Sequence, residues 1–218
     1  MAERVRYRLE QTLPDLAYLQ RHKIFTQSEL AAISRRRSEF EHRVNNRGAT
    51  LLDFLKYAEY EINLDALRRR RCLRLSVAPQ GGRDGAGGTS LRFVYSVFAR
   101  GVKRFPGDVG LWKQYLAFAR EQKARRLLNK LFTTVLRLHP KESSLWVLAA
   151  EHELRANANR LAARNILLRG IKFNPDAADI AQAYETLEKD VREAVDAAAD
   201  TTTTNKSDMD DDKSKDDS

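Results

Sequence analysis

The chain has 218 residues, enough for one sizeable core or a short array of repeats, and its 42% hydrophobic content indicates a globular region. Ten glycines and five prolines are too few for a fibrous protein. The net charge is +9, but the residues from 200 onward carry −4, which leaves +13 on residues 1–199. A body this basic attracts phosphate backbones or acidic proteins.

Cysteine and hydropathy patterns narrow the class of protein further. Cys72 is a single cysteine, which excludes a disulfide framework within the chain and is typical of a reducing compartment. The sequence contains no apolar run of the roughly 18 residues that a membrane span needs. The first residues alternate in charge and lack the apolar core of a secretory signal. We therefore expect a soluble, intracellular protein without membrane contact.

The first 50 residues predict helices. An apolar stripe at helical spacing begins near the N-terminus, and Pro14 predicts a kink or break within it. Thr26 and Glu29 form a capping-box pattern, so another helix is expected to run from there to about Val44 and to stop at residues 45–48. The stripe consists of Val5, Leu9, Leu13, Leu16 and Leu19.

Residues 51–75 predict one long helix that ends in an arginine cluster. Arginines crowd its C-terminal end, at residues 68–71 and at Arg74. Cations at that end of a helix complement its dipole. Four like charges in a row also repel one another, so not all of them serve stability.

Residues 78–89 are rich in glycine and predict a flexible loop. The stretch lacks the Gly-Lys-Ser/Thr ending of a phosphate-binding loop, and no strand pattern precedes it, so we expect no nucleotide site. From residue 90 onward the pattern predicts short helices with prolines in the turns between them. Their expected ranges are 91–104, 108–120, 123–138, 143–155, 159–173 and 175–199.

A repeat of about 34 residues, a period typical of helix-pair arrays, is the strongest regularity in the chain. At this period Trp112 recurs as Trp146, and three prolines recur with nearly equal spacing. Each helix pair in such an array needs a neighbouring pair to bury its apolar face. The period therefore favours a scaffold that binds macromolecules over a compact enzyme. The prolines are Pro106, Pro140 and Pro175.

Large side chains at positions i, i+3 and i+6 share one face of the first helix in each pair. We expect them to fill the gap to the second helix and not to stack on RNA bases. The second helices share Arg-Gly, at residues 100–101 and 169–170. The candidate repeat-core residues are Phe54, Tyr57, Tyr60, Trp112, Tyr115, Phe118, Trp146 and Ala149.

The pattern Trp-x-x-Tyr-x-x-Phe on one helix, followed by Ala-Arg, Arg and Pro on the next, resembles the half-a-tetratricopeptide (HAT) family. Ala163-Arg164 and Arg169 carry the second-helix part. The ordinary tetratricopeptide has glycine four residues after the Trp, where this chain has Leu116 and Ala150. The resemblance implies an all-α, right-handed helical-repeat solenoid of the HAT/TPR-like type, with an N-terminal helical region and a disordered C-terminal tail.

This resemblance divides the chain into four regions. Residues 1–77 are the N-terminal helical region with a first HAT-like helix, and residues 78–89 are the flexible glycine-rich loop. Residues 90–198 are the HAT-repeat array. Residues 199–218 are an acidic tail with Met209 as its one large apolar residue, and we expect this tail to be disordered.

Three stretches carry a narrower resemblance: Leu-Pro-Asp-Leu at 13–16, Ile-Phe-Thr-Gln-Ser-Glu-Leu at 24–30, and Tyr-Glu-Ile-Asn-Leu at 60–64, just before the arginines. With the Leu-Trp repeats, these stretches resemble the HAT-repeat U3 small nucleolar RNA-associated proteins of the small-subunit processome, over about residues 1–195. Members of that family continue with many more repeats, so this chain is either a shortened member or a truncated form.

The narrower resemblance implies a function. The chain would be a non-catalytic scaffold in the nucleus and nucleolus that supports 18S rRNA maturation. Its partners would be β-propeller proteins of the UTP-B subcomplex, and it would contact U3 small nucleolar RNA (snoRNA) and pre-rRNA at least indirectly. Two alternatives stay open: an autonomous RNA-binding protein that uses the basic body, and a HAT-repeat factor of splicing or mRNA 3′-end processing.

No residue pattern indicates catalysis, a cofactor, a metal site or a small-molecule substrate, and no two histidines have the i, i+4 spacing of a helical zinc site. Arginine forks pair well with phosphates and carboxylates, so the two arginine clusters are the candidate contacts with a partner protein or RNA. A simple solvated helix surface is the alternative. The candidates are Arg35, Arg36, Arg37, Arg68, Arg69, Arg70 and Arg71.

Overall fold

The computed structural model describes residues 2–77 and 89–193 of the chain. Every regular element within these two ranges is a helix, so the predicted all-α fold class is confirmed. The expected loop at residues 78–89 lies outside the described residues except for Thr89, which begins a helix, and the expected tail at 199–218 also lies outside them. The helices are α1 (Ala2–Glu10), α2 (Leu13–Arg21), α3 (Gln27–Asn45), α4 (Leu51–Arg74), α5 (Thr89–Arg104), α6 (Val109–Glu121), α7 (Arg125–Leu138), α8 (Ser143–Asn157), α9 (Arg160–Phe173) and α10, at residues 178–193.

The chain forms two compact units, Met1–Leu128 (the N-terminal unit) and Asn129–Ser218 (the C-terminal unit). In the N-terminal unit, α1 and α2 pack against α3, α3 packs against α4, α4 against α5, and α5 against α6. In the C-terminal unit, α8 packs against α9, and α10 contributes Ile180 and Leu187 to their apolar cluster. Packing between successive helices is typical of helix-pair repeats.

The helix break predicted near Pro14 is confirmed. It separates α1 from α2 and lies just before the proline. Helix α1 ends at Glu10, and α2 begins at Leu13 with the proline in its first turn. Proline is tolerated there because the first backbone N–H groups of a helix have no partner within the helix. The hydroxyl of Thr12 donates a hydrogen bond to the carbonyl oxygen of Leu9 at 2.7 Å, which holds the bend.

The predicted capping box at the start of α3 is confirmed. The side chain of Thr26 accepts a hydrogen bond from the backbone N–H of Glu29 at 3.3 Å, and the Glu29 carboxylate accepts one from the backbone N–H of Thr26 at 2.8 Å. Helix α4 begins in a similar way, because the Asp53 carboxylate accepts a hydrogen bond from the backbone N–H of Thr50 at 2.8 Å. This bond lowers the pKa of Asp53.

The repeat period corresponds to a repeated contact. The indole Nε1 of Trp112 donates to the carbonyl oxygen of Pro106, and that of Trp146 donates to the carbonyl oxygen of Pro140, both at 3.0 Å. Each proline lies in the turn that precedes its tryptophan helix, so one hydrogen bond attaches each first helix to the turn that introduces it. The bond also satisfies the polar atom of an otherwise buried ring.

The shared glycines of the second helices allow close helix packing. A Cβ atom added at Gly170 would lie 3.0–3.2 Å from the Cβ and ring atoms of Trp146. One added at Gly101 would lie 3.2 Å from Leu111 and 3.5 Å from Phe54. Only a residue without a side chain lets the large residue of the first helix approach the backbone of the second so closely.

We expect Gly170→Ala to lower the free energy of unfolding by about 1 kcal/mol. Overpacking costs roughly 1–3 kcal/mol, and the higher helix propensity of alanine offsets part of that loss. Trp146 cannot move aside easily because its indole is hydrogen-bonded to Pro140 and stacked on Phe173, at 5.7 Å between ring centroids. Urea denaturation measures the change.

Gly107→Ala is the matched control, because a Cβ atom at Gly107 would meet nothing within 4 Å. We expect this variant to change stability by less than about 0.5 kcal/mol. A Gly170→Ala protein as stable as the wild type would show that the close approach is not required.

Candidate partner-binding site

The candidate repeat-core residues are buried in the structure, with one exception. Tyr60 is half-buried and lies at the surface of α4. The other seven are between 1% and 6% exposed, which leaves their side chains unavailable to a partner: Phe54, Tyr57, Trp112, Tyr115, Phe118, Trp146 and Ala149.

Aromatic rings of successive helices stack in a regular way that was not predicted from the sequence. Tyr57 of α4 stacks on Phe40 of α3, with ring centroids 5.0 Å apart and planes 7° apart. Tyr115 of α6 stacks on Phe98 of α5 at 5.2 Å and 8°. The spacing from phenylalanine to tyrosine along the chain is the same in both pairs and equals half the repeat period. This equal spacing in the sequence is the signal from which the stacking of the rings could have been predicted.

The same half-period continues in the C-terminal unit with a change of partner. Phe132 stands at the same spacing before Ala149, but alanine has no ring to stack. Instead, the ring of His152, one turn further along α8, lies 5.3 Å from Phe132. The imidazole Nε2 of His152 is also 2.9 Å from the side-chain oxygen of Asn129. His152 therefore has a packing role.

Arg37 and Arg68 are not surface contacts, contrary to the sequence-based expectation for the two clusters. The Arg37 guanidinium donates through Nε and Nη2 to both carboxylate oxygens of Glu61, each at 2.8 Å, and both side chains are almost fully buried. Burial is the largest effect and disfavours the charge of Arg37, but the opposite charge of Glu61 and its hydrogen bonds, with smaller contributions from Tyr57 and Tyr60, together raise the pKa of Arg37. Arg68 is buried against Asp65, with Nη2 2.8 Å from Oδ1.

A second buried carboxylate, Glu41, links four helices. The two Nη atoms of Arg100, on α5, donate to its two oxygens at 2.8 Å each, and the Tyr57 hydroxyl of α4 donates to Oε1 at 3.0 Å. Arg8 of α1 lies 3.9 Å from Oε2. Burial and the nearby carboxylates of Glu61 and Glu41 raise the pKa of Tyr57, so its hydroxyl stays protonated and can donate.

Arg71 is also used internally, at the start of α3. Its guanidinium forms two 2.8 Å hydrogen bonds with the carboxylate of Glu29, donates to the carbonyl oxygen of Ile24 at 3.1 Å and lies 4.5 Å above the ring of Phe25. The hydrogen bonds from Arg71 and from the backbone of Thr26 lower the pKa of Glu29 to about 2. This pair attaches the C-terminal end of α4 to the capped start of α3.

The remaining arginines of the two clusters are exposed. Arg35 and Arg70 form no ion pair with another residue of the described ranges. Arg36 pairs with Glu39 at 2.9 Å on the surface of α3. Arg69 lies 2.7 Å from Asp65 and donates to the side-chain oxygen of Gln122 at 2.9 Å. The structure therefore separates the seven candidates into internal and external groups.

Two of the exposed arginines border a groove between α3 and α4, which we call the α3–α4 groove. It has a volume of about 560 Å³, with charged residues of α3 at its rim and apolar residues of both helices at its floor. Leu67 is 38% exposed here although it is apolar. A charged rim around an apolar floor is typical of a site that binds a segment of another protein. Its main lining residues are Arg35, Arg36, Glu39, Tyr60, Leu64 and Leu67.

The part of the chain that the structure describes contains no cluster of three or more histidine, cysteine, aspartate or glutamate side chains able to hold a metal ion. None of the described helices is both long enough and apolar enough to cross a membrane. The described helices pack in succession as in a helix-pair repeat protein, and the candidate site is the charged, partly apolar α3–α4 groove.

Comparison with known proteins shows which proteins the chain is similar to. Residues 9–90 match the family model of U3 small nucleolar RNA-associated protein 6. Over these residues the chain is similar to the U3 small nucleolar RNA-associated protein 6 family, and relatives of that name match it over a longer stretch.

Three relatives from distant organisms illustrate the relationship. The chain is 38% identical over 188 residues to U3 small nucleolar RNA-associated protein 6 of Schizosaccharomyces pombe, a match that covers 86% of this chain and 38% of the relative. The Homo sapiens homolog is 31% identical over 86% of this chain and 31% of its own length. The Dictyostelium discoideum homolog is 30% identical over 79% of this chain and 28% of its own length. The chain thus spans about a third of the length of these relatives.

We expect Arg37→Met to lower the free energy of unfolding by about 3–5 kcal/mol, because it leaves the Glu61 carboxylate buried without its partner. The double variant Arg37→Met/Glu61→Leu removes both charges, and we expect it to regain most of that loss. Urea denaturation of the single and double variants measures the coupling between the two residues.

Arg35→Met is the control, because Arg35 lies on the same helix but is exposed. We expect it to change stability by less than about 0.5 kcal/mol. Equal effects of Arg35→Met and Arg37→Met would contradict a structural role for the buried pair.

We expect Arg71→Gln to raise the pKa of Glu29 from about 2 towards its ordinary value of 4.5. The lowered pKa means that ionised Glu29 stabilises the folded state above about pH 4.5 and that this contribution is lost as the pH falls towards 2. The variant should therefore lose less stability over that range than the wild type. Carboxyl-carbon NMR titration and acid denaturation measure the two effects, and Arg70→Gln, which should change neither, is the control.

Proposed function

We propose that the chain is a non-catalytic scaffold of the small-subunit processome, where it supports 18S rRNA maturation through protein contacts and through association with the U3 ribonucleoprotein. The observation that supports this proposal is the match of residues 9–90 to the U3 small nucleolar RNA-associated protein 6 family, together with relatives of that name in several organisms. The proposal implies a role in ribosome biogenesis and a nucleolar location.

We also propose that the helix pairs are HAT repeats. Two features support this assignment. The first helices of successive repeats attach their tryptophan to a proline carbonyl in the same way, at Trp112 and Trp146. The second helices place a glycine against a large side chain of the first helix, at Gly101 and Gly170.

The partner proteins that we propose are β-propeller subunits of the UTP-B subcomplex, and the α3–α4 groove is the proposed contact. Arg35 on its rim forms no ion pair with a described residue, and Leu67 on its floor exposes apolar surface. Such a groove can accept an acidic loop that carries an apolar residue, because the loop would cover Leu67 and pair with the rim. Binding a partner in this groove requires no catalytic group, which agrees with the proposed non-catalytic role.

A second groove supports the role of a scaffold with more than one contact. It lies in the C-terminal unit, has a volume of about 540 Å³ and is lined by residues of α7, α8 and α9. Phe173, at its edge, is 53% exposed although it is apolar. Each unit therefore offers its own surface for a partner.

The proposal is tested by purification of the tagged chain from cells at moderate salt. We expect U3 snoRNA and β-propeller proteins to be enriched with it, and we expect the chain to be located in the nucleolus. Recovery of spliceosomal RNAs or of 3′-end processing factors in their place would overturn the proposal in favour of another RNA-processing assembly. Absence of U3 snoRNA would also overturn it.

A pair of variants tests the α3–α4 groove within the same purification. We expect Arg35→Glu/Leu67→Glu to lower the recovery of β-propeller proteins by about tenfold, because both changes lie in the groove. The control is Leu73→Glu/Arg74→Glu, which changes the same residue types at exposed positions of α4 outside the groove. Equal recovery with the two variants would reject the groove as the contact.

A further inference from the structure

A second basic surface lies in the N-terminal unit, away from the arginine clusters that the sequence singles out. It is an open groove of about 720 Å³ between α1 and α5, and we call it the α1–α5 groove. Five cationic side chains line it, and Glu3 is the one acidic side chain among its lining residues. The cations are Arg4, Arg8, Arg100, Lys103 and Arg104.

Some cations of the α1–α5 groove pair with a buried carboxylate, and others form no ion pair within the described ranges and can contact a ligand. Arg8 and Arg100 share the buried carboxylate of Glu41 and form the base of the groove. Arg4 and Lys103 are exposed, and neither forms an ion pair with another residue of the described ranges. The available charge of the groove therefore lies at its two sides, one side on α1 and the other on α5.

Arg104 is exposed but held in place. Its Nη2 donates to the backbone carbonyl oxygens of Asn46 and Arg47. These carbonyls are neutral, so the guanidinium keeps its full charge and its remaining N–H donors. A positioned guanidinium suits a phosphate because less side-chain freedom is lost when it binds.

An aromatic ring accompanies the cations. Tyr7 is 63% exposed and lies three residues after Arg4, on the same side of α1. A flat exposed ring among arginines and lysines is the arrangement with which proteins bind single-stranded nucleic acid, where bases stack on the ring and phosphates contact the cations.

We propose that the α1–α5 groove binds single-stranded RNA. Arg4, Lys103 and Arg104 contact phosphates, and a base stacks on Tyr7. The ring favours RNA over an acidic peptide, because an acidic segment would use the charges but has no base to place on Tyr7. The choice of RNA also rests on the proposed function, which supplies RNA in the assembly.

The test is a binding titration of the full chain with a fluorescein-labelled single-stranded RNA of mixed sequence, followed by fluorescence anisotropy at several salt concentrations. We expect Arg4→Gln/Lys103→Gln to weaken binding roughly tenfold and to reduce the dependence of log K on log[salt] by about 0.7 for each phosphate that the variant no longer binds. The matched control is Arg21→Gln/Arg74→Gln, which removes two exposed charges from positions that line neither groove of the N-terminal unit, and we expect a change of less than twofold.

The ring is tested separately. We expect Tyr7→Ala to weaken RNA binding at least about fivefold and Tyr7→Phe to retain it, because stacking needs the ring and not the hydroxyl. Circular dichroism and the thermal midpoint of each variant show whether it is folded. A poly-aspartate peptide of equal charge serves as the competing ligand.

Three results would overturn the proposal: a loss in the Arg21→Gln/Arg74→Gln variant as large as in the groove variant, no effect of Tyr7→Ala, or binding of the acidic peptide as tight as that of the RNA. The outcome is separable from that of the proposed function. Recovery of U3 snoRNA from cells without RNA binding at the groove would reject only the groove. RNA binding at the groove without U3 snoRNA in cells would reject only the processome role.

Discussion

The N-terminal unit depends on buried carboxylates that arginines from other helices must neutralise. Glu41 on α3 receives Arg100 from α5 and the hydroxyl of Tyr57 from α4, and Glu61 on α4 receives Arg37 from α3. A buried carboxylate without a partner costs several kcal/mol, so a packing of these helices that separates the two halves of a pair is disfavoured. These pairs join α3 to α4 and α3 to α5 in the packing that the structure shows.

This constraint also decides where partners can bind. Arginines that neutralise internal carboxylates are not available to RNA or protein, which removes Arg37 and Arg68 from the surface. The available charge lies instead on the rims of grooves between helices, as at Arg35 in the α3–α4 groove and at Arg4 and Lys103 in the α1–α5 groove. The N-terminal unit thus has arginines both in its interior, where they pair with buried carboxylates, and on the exposed rims of its grooves.

Much of this organisation could be predicted from the sequence. The inward-facing position of Arg37 was not predicted, although the sequence contains a signal for it. The repeat period indicates the helix pairs, and Thr26 and Glu29 indicate the start of α3. Arg37 lies on the apolar stripe of α3, four residues after Ile33 and three before Phe40, which marks it as inward-facing. Consecutive arginines look alike in a list of charges, but each points in a different direction around the helix.

The sequence by itself determined the local features of this protein: the helices and their caps, and the proline turns. These depend on hydrogen bonds between residues no more than about six positions apart, as in the Trp112–Pro106 contact. The tertiary structure alone decided which charges meet. Arg37 and Glu61 are 24 residues apart and Glu41 and Arg100 are 59 apart. Pairing over such separations follows from helix packing, which no local pattern encodes, and the same packing creates the two grooves of the N-terminal unit.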